Sequence, residues 1–178
     1  MCIRDRESTG IYSFLLSVAS VVHIFIVSGF YIIYLPQLIQ TFKSDRNLFK
    51  KELLKFSMLT TIFSSLLVII IPLICPFIFE LIEKEAFLSQ MNLLYILLLG
   101  FLFNNLSLIP HLFLYINHDE KAITVIMAIS FLFNLALNLL LIPKFGILGA
   151  GYSFMATYLI VLLLKLLRAQ FRWRQTAA

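Results

Sequence analysis

Five long stretches of this chain carry no charged residue and are apolar at most positions: Ile11 to Tyr34, Phe56 to Phe79, Met91 to Ile116, Ala122 to Ile142 and Ile147 to Leu164. Each comes near or exceeds the roughly 20 residues that a helix needs to cross the hydrocarbon of a bilayer. None alternates polar with apolar residues as a half-buried strand would, and an open sheet edge has no place in lipid. The pattern predicts an all-α polytopic membrane helix bundle of about five transmembrane helices.

The polar residues inside these runs are sorted by face. At about 100° per residue, Ser13, Ser17, Ser20, His23, Ser28, Tyr31 and Tyr34 of the first run fall within one arc of about 140°. The opposite face is wholly apolar, which predicts that the arc looks onto a hydrated cavity or a neighbouring helix rather than onto lipid. His23 is the titratable group of this run, and an ionisable residue at that depth is a candidate functional site. The plainer reading is that the serines bond their own preceding carbonyls and His23 serves a neighbouring helix. Ser57, Thr60, Thr61, Ser64, Ser65 and Cys75 share a face in the second run, with Pro72 and Pro76 expected to loosen its far end. Asn104, Ser107, His111 and Tyr115 share one in the third, beside a kink expected at Pro110, and Ser130, Asn134 and Asn138 align in the fourth. These three stripes are expected to serve helix–helix hydrogen bonding. No Asp, Glu, Lys or Arg falls inside the five runs, so no proton-carrying carboxylate and no intramembrane ion pair is expected.

The stretch Asn134 to Tyr158 reads as two helices folded back through a four-residue turn, Pro143 to Gly146. Proline lacks an amide donor and glycine tolerates positive φ, so the pair should stop one helix and start the next. Gly146, Gly149, Ala150 and Gly151 give the second helix a side-chain-poor surface on which another backbone can settle.

Composition agrees with a membrane bundle. The chain is 61% hydrophobic and 13% charged, about half the charged fraction of soluble domains. Its mean hydropathy is +0.99. The net charge of +5 follows from loops and tail and is no sign of nucleic-acid binding. Lys43, Arg46, Lys50, Lys51, Lys55, Lys121, Lys165, Arg168, Arg172 and Arg174 would lie on one side; Arg4, Arg6, Lys84 and Lys144 would lie on the other. That bias predicts a cytoplasmic C-terminus, with the acidic loop around Glu80, Glu83, Lys84 and Glu85 outside. Gln40 to Lys55 is read as a basic loop that fixes topology, with a short helix in the headgroup layer as the alternative. Cys2 and Cys75 suggest neither disulfide nor metal set, and no zinc spacing, phosphate loop or hydrolase motif occurs, so no cofactor, no metal and no enzyme activity is expected. Residues 1–8 read as a leader foreign to the rest: MCIRDRE is too polar for a signal-peptide core and resembles translated adapter sequence, which implies a protein that starts upstream. Residues 9–167 then form the transmembrane bundle and 168–178 a basic tail.

The hairpin pattern Asn134, Asn138, Ile142, Pro143, Phe145, Gly146, Gly149, Ala150 resembles the penultimate-to-last hairpin of polysaccharide-biosynthesis flippases in the multidrug/oligosaccharidyl-lipid/polysaccharide (MATE-like) superfamily. GIYSFLLSVASV, LPQLIQTF with its basic continuation, and FLYINHDEKAITV resemble further phrases of that family in the right order, so the likeness spans most of Thr9 to Leu167. The resemblance implies a twelve-to-fourteen-helix transporter of two similar lobes around a cavity that opens alternately to each side, of which this chain would supply part of the C-terminal lobe. It implies a bacterial or archaeal cytoplasmic membrane, a lipid-linked (undecaprenyl-diphosphate) oligosaccharide as substrate, and the N-terminal lobe of the same protein as partner. The first span would line the cavity, and Asn134, Asn138, Gly146, Gly149 and Gly151 would pack the lobe together. The family's charged cavity residues have no counterpart in these spans. A multidrug or cation exporter of the same superfamily and a non-transporting membrane subunit are the alternatives. A polysaccharide polymerase is disfavoured, because its catalysis needs a large external loop and the external loops here are short.

Overall fold

The computed structural model describes residues 3–81 and 85–177, without the side chains of 3–7, 85–86 and 176–177. Met1 and Cys2 of the expected leader, residues 82–84 of the expected external loop and Ala178 of the tail lie outside the described residues. The described chain is helical almost throughout. α1 (Ile3–Ile26) passes through a π turn (Val27–Tyr31) into α2 (Ile32–Ser44). α3 (Arg46–Leu81), the single turn α4 (Glu85–Leu88), α5 (Met91–Ile116), α6 (Glu120–Phe145) and α7 (Ile147–Ala177) follow. Five helical units among the described residues are long and apolar enough to cross a membrane, the α1–α2 rod counting as one.

α5 is the hub. It is apolar on nearly every side, as a helix surrounded by others should be, and it packs against α1, α3 and α7. α6 leans mainly on α7 and buries only Ile126 and Ser130. Its remaining face is apolar and open, suited to lipid.

Two apolar clusters stack along the bundle. One gathers Leu15, Ala19 and Val22 of α1, Cys75 and Phe79 of α3, and Leu93, Leu94, Leu97, Leu98 and Phe101 of α5. The other gathers Leu38 of α2, Phe49 and Phe56 of α3, and Leu112, Phe113 and Ile116 of α5.

The basic segment 40–55 differs from the expected loop. α2 runs to Ser44 and α3 starts at Arg46, so Asp45 is the only break. Its extended backbone (φ −150°, ψ 116°) turns the chain, and its Oδ1 accepts from the amides of Asn47 at 2.7 Å and Leu48 at 3.3 Å. That is an N-cap, the device that lets α3 begin at once. Phe49 is buried and meets Phe42 across the corner with ring centres 5.0 Å apart. The aromatic residues of this segment therefore close the corner of two spans instead of lying in a separate surface helix.

The α6–α7 turn is also shorter than the sequence suggests. Pro143 stays inside α6, and Gly146 alone makes the turn, with φ 58° and ψ −133°. That conformation is open to glycine and strained for any other residue. A Cβ on Gly149 would overlap the backbone carbonyl of Leu141, so α7 starts pressed against the end of α6. A Cβ on Gly151 would strike Leu93 at 2.7 Å, and Gly100 of α5 lies under the Phe154 ring in the same way. α5 and α7 therefore meet backbone to side chain with almost no gap.

Candidate functional site: a polar layer between two apolar clusters

Four of the spans carry polar residues at the height where one apolar cluster ends and the other begins. His23 lies there on α1, Thr60 and Ser64 on α3, Asn104, Asn105 and Ser107 on α5, and Lys165 on α7. Thr60, Ser64, Asn105 and Ser107 are fully buried, and Lys165 is 5% exposed.

His23 is tied to α5. Its Nδ1 lies 2.7 Å from Asn105 Oδ1, and its ring lies over Phe101 with centres 6.1 Å apart. An amide oxygen can only accept, so Nδ1 is the donor in this contact. Asn104 Nδ2 stands 3.4 Å from the same Nδ1 as a close neighbour. Among the described residues, Thr60 Oγ1, Ser64 Oγ, Asn105 Nδ2 and His111 Nδ1 are buried without a hydrogen-bond partner. Each costs about 1–3 kcal/mol if left so. A water molecule or a polar ligand group would remove that cost.

Lys165 is the most unusual member. Among the described residues its ammonium has one hydrogen-bond acceptor, the Ser107 hydroxyl at 3.5 Å. A buried cation without a carboxylate is expensive, and inside a membrane bundle it is a candidate functional position. The fifth apolar run ends at Leu164, and the sequence reading assigned Lys165 to the charged residues beyond it. The structure instead continues α7 to Ala177 and turns Lys165 inward. A signal was present: Ser153, Thr157, Val161 and Lys165 recur every four residues, and all lie on the face turned into the bundle. Asn105 was also missed, because Asn104 fitted the helical stripe better.

The seven polar residues of the first span do not share one face. The π turn inserts one residue, which rotates everything after it by about 100°. The buried positions show the shift. Leu15, Ala19, Val22 and Ile26 form one stripe, and Leu38 continues it twelve residues after Ile26, whereas three α turns take about eleven. Tyr31 and Tyr34 consequently swing onto Phe56 of α3, with ring centres 6.5 and 5.7 Å apart. Ser13, Ser17 and Ser28 are exposed, Ser20 and His23 half-buried. Ser17 and Ser20 donate to the carbonyls of Ser13 at 2.9 Å and Ser17 at 2.7 Å. The open hydroxyl face is thus confined to Ser13, Ser17, Ser20 and Ser28.

Asn134 and Asn138 form a ladder between α6 and α7. Asn134 Nδ2 donates to Thr157 Oγ1, and Asn138 Nδ2 to Asn134 Oδ1, both at 2.9 Å. Ser153 Oγ donates to Asn138 Oδ1 at 2.5 Å. At the basic end, Asp119 in the α5–α6 turn accepts from Arg168 Nε at 2.7 Å and Nη2 at 3.1 Å, and from Arg172 Nε at 3.0 Å. Those hydrogen bonds, Arg168 first, hold the Asp119 carboxyl down at about 2 against its own partial burial.

No family model, curated protein or solved structure matches this chain.

Proposed function

We propose that this chain is part of the C-terminal lobe of a lipid-linked oligosaccharide flippase, which moves an undecaprenyl-diphosphate-linked glycan across the cytoplasmic membrane with its own C-terminus on the cytoplasmic side. The observation that carries the reading is the polar layer with the buried, carboxylate-free Lys165. A bundle that only packs has no use for an ammonium without a carboxylate and, among the described residues, three unpartnered polar atoms at that height, on Thr60, Ser64 and Asn105. The proposed substrate has complementary parts. Its diphosphate suits the Lys165 ammonium and Ser107 hydroxyl, and its sugars suit hydroxyl and amide groups such as those of Ser17, Ser20, Thr60, Ser64 and Asn105. The sequence resemblance supplies the substrate class, and the N-terminal lobe would close the cavity for alternating access. A cation exporter fits less well, since positively charged cargo would meet Lys165.

The test is transport of a fluorescent undecaprenyl-diphosphate oligosaccharide in proteoliposomes holding the full-length protein. Lys165→Gln is expected to lower the rate at least tenfold, with Lys165→Arg restoring part of it. The combined Ser17→Ala, Ser20→Ala, His23→Ala variant is expected to lower it severalfold. Undiminished transport in both Lys165→Gln and the triple variant overturns the reading.

A further inference from the structure

At the basic end of the bundle, a cleft of about 280 Å³ opens between α2 and the α5–α6 turn. Ile39 and Ile116 line its apolar part; Lys43, Tyr115, His118 and Glu120 supply its polar groups. We infer that this cleft holds a phospholipid headgroup, its phosphodiester on Lys43 and His118 and a donor-bearing headgroup, ethanolamine or glycerol, on Glu120. The inference needs only that the bundle crosses a membrane and stands apart from the flippase reading.

Three observations support it. The cleft lies where the α1–α2 and α5 spans end and α6 begins, the depth at which headgroups sit. Its surroundings carry complementary charge, with Lys43, Arg46, Lys50, Lys51, Lys55 and Lys121 on the helix ends at this side, and each basic residue near an anionic leaflet adds about 1 kcal/mol of attraction. The third is His118, whose φ is 55°. It occupies the left-handed position that ends α5: its amide donates to Tyr115 O at 3.0 Å and the Asp119 amide to Leu114 O at 3.0 Å. Glycine is the usual occupant of that position and is cheaper there by about 1 kcal/mol. His118 lines the cleft despite that cost, and its imidazole can donate to a phosphate oxygen there. A lone anion would leave Glu120 facing like charge. A headgroup with an N–H or O–H donor can hydrogen-bond the Glu120 carboxylate while its phosphate meets Lys43 and His118; a choline headgroup brings a cation but no donor and cannot make that hydrogen bond.

The experiment uses purified protein in neutral detergent, titrated with phosphatidylethanolamine, phosphatidylglycerol or phosphatidylcholine. Lipid retained is counted by native mass spectrometry, and unfolding is followed by Trp173 fluorescence. Retention of phosphatidylethanolamine or phosphatidylglycerol is expected at least fivefold above phosphatidylcholine. Lys43→Gln is expected to abolish the difference, and His118→Gln to reduce it. Lys51→Gln, on the same end but outside the cleft, should leave it intact. Lipid-free unfolding curves like the parent's would show that Lys43→Gln still folds. Equal retention of phosphatidylcholine overturns the inference. So does a Lys51→Gln loss as large as that of Lys43→Gln, which would mean diffuse surface charge alone.

Discussion

Replacing Asp119 with asparagine keeps the shape of the α5–α6 turn and removes the charge that two arginines of α7 share. The carboxylate is 6% exposed, and its partners Arg168 and Arg172 are 36% and 35% exposed. The drop from 3.8 to about 2 in the Asp119 value corresponds to roughly 2.4 kcal/mol at about 1.36 kcal/mol per unit. Solvent around both guanidinium groups screens part of that, so about 1–2 kcal/mol is the expected loss. Because the folded value is the lower one, the contribution is complete above the ordinary carboxylate value of 3.8 and disappears as pH falls toward about 2. The assay is denaturant unfolding in micelles read by Trp173, which follows Arg172 directly and packs on Phe113 with ring centres 5.4 Å apart. Asp119→Asn should unfold earlier at pH 7, and its stability should vary less than the parent's between pH 5 and pH 2. High salt should narrow the gap at pH 7. A loss under about 0.3 kcal/mol, or an acid slope equal to the parent's, would refute the coupling between the turn and α7.

Other substitutions probe other joints of the bundle. Gly149→Ala should cost more than about 2 kcal/mol, or prevent folding, because its Cβ meets the Leu141 backbone. Gly146→Ala meets no atom within 4 Å but forces φ 58° on alanine, so a cost of about 1–3 kcal/mol from backbone strain alone is expected; both are read by the same unfolding curves. His118→Gly should stabilise the lipid-free protein by about 1 kcal/mol while weakening phospholipid retention. Deleting Gly29 from the π turn should be tolerated, since it restores plain α register with Ile26 and Leu38 still on one face. Deleting Ser17 from the regular helix should abolish folding, as judged by monodisperse elution in detergent.

The legible part of the fold was the part that hydrophobicity alone decides. Uncharged length located all five long apolar helices, because a helix that crosses hydrocarbon needs such a run. Helix ends were less legible. Charge was read as a helix boundary at Lys55 and Lys165, yet backbone hydrogen bonding continues through both of them. Long basic side chains can carry their charge away from the axis, so they mark the membrane boundary and not the end of the helix. Lys165 shows what that assumption hid, since its place on the Ser153, Thr157, Val161 line turns its ammonium into the bundle. The stripe of the first span failed for another reason. A period of 3.6 holds only while every residue keeps α geometry, and the VSGFY turn has no pattern that separates it from ordinary helix. The extra residue there moves Tyr31 and Tyr34 onto Phe56 and leaves a short serine face open beside His23. Under the proposed function the substrate-facing surface is therefore smaller than the sequence arc and deeper than its serines. It is built from residues of four helices that no single-helix pattern could bring together.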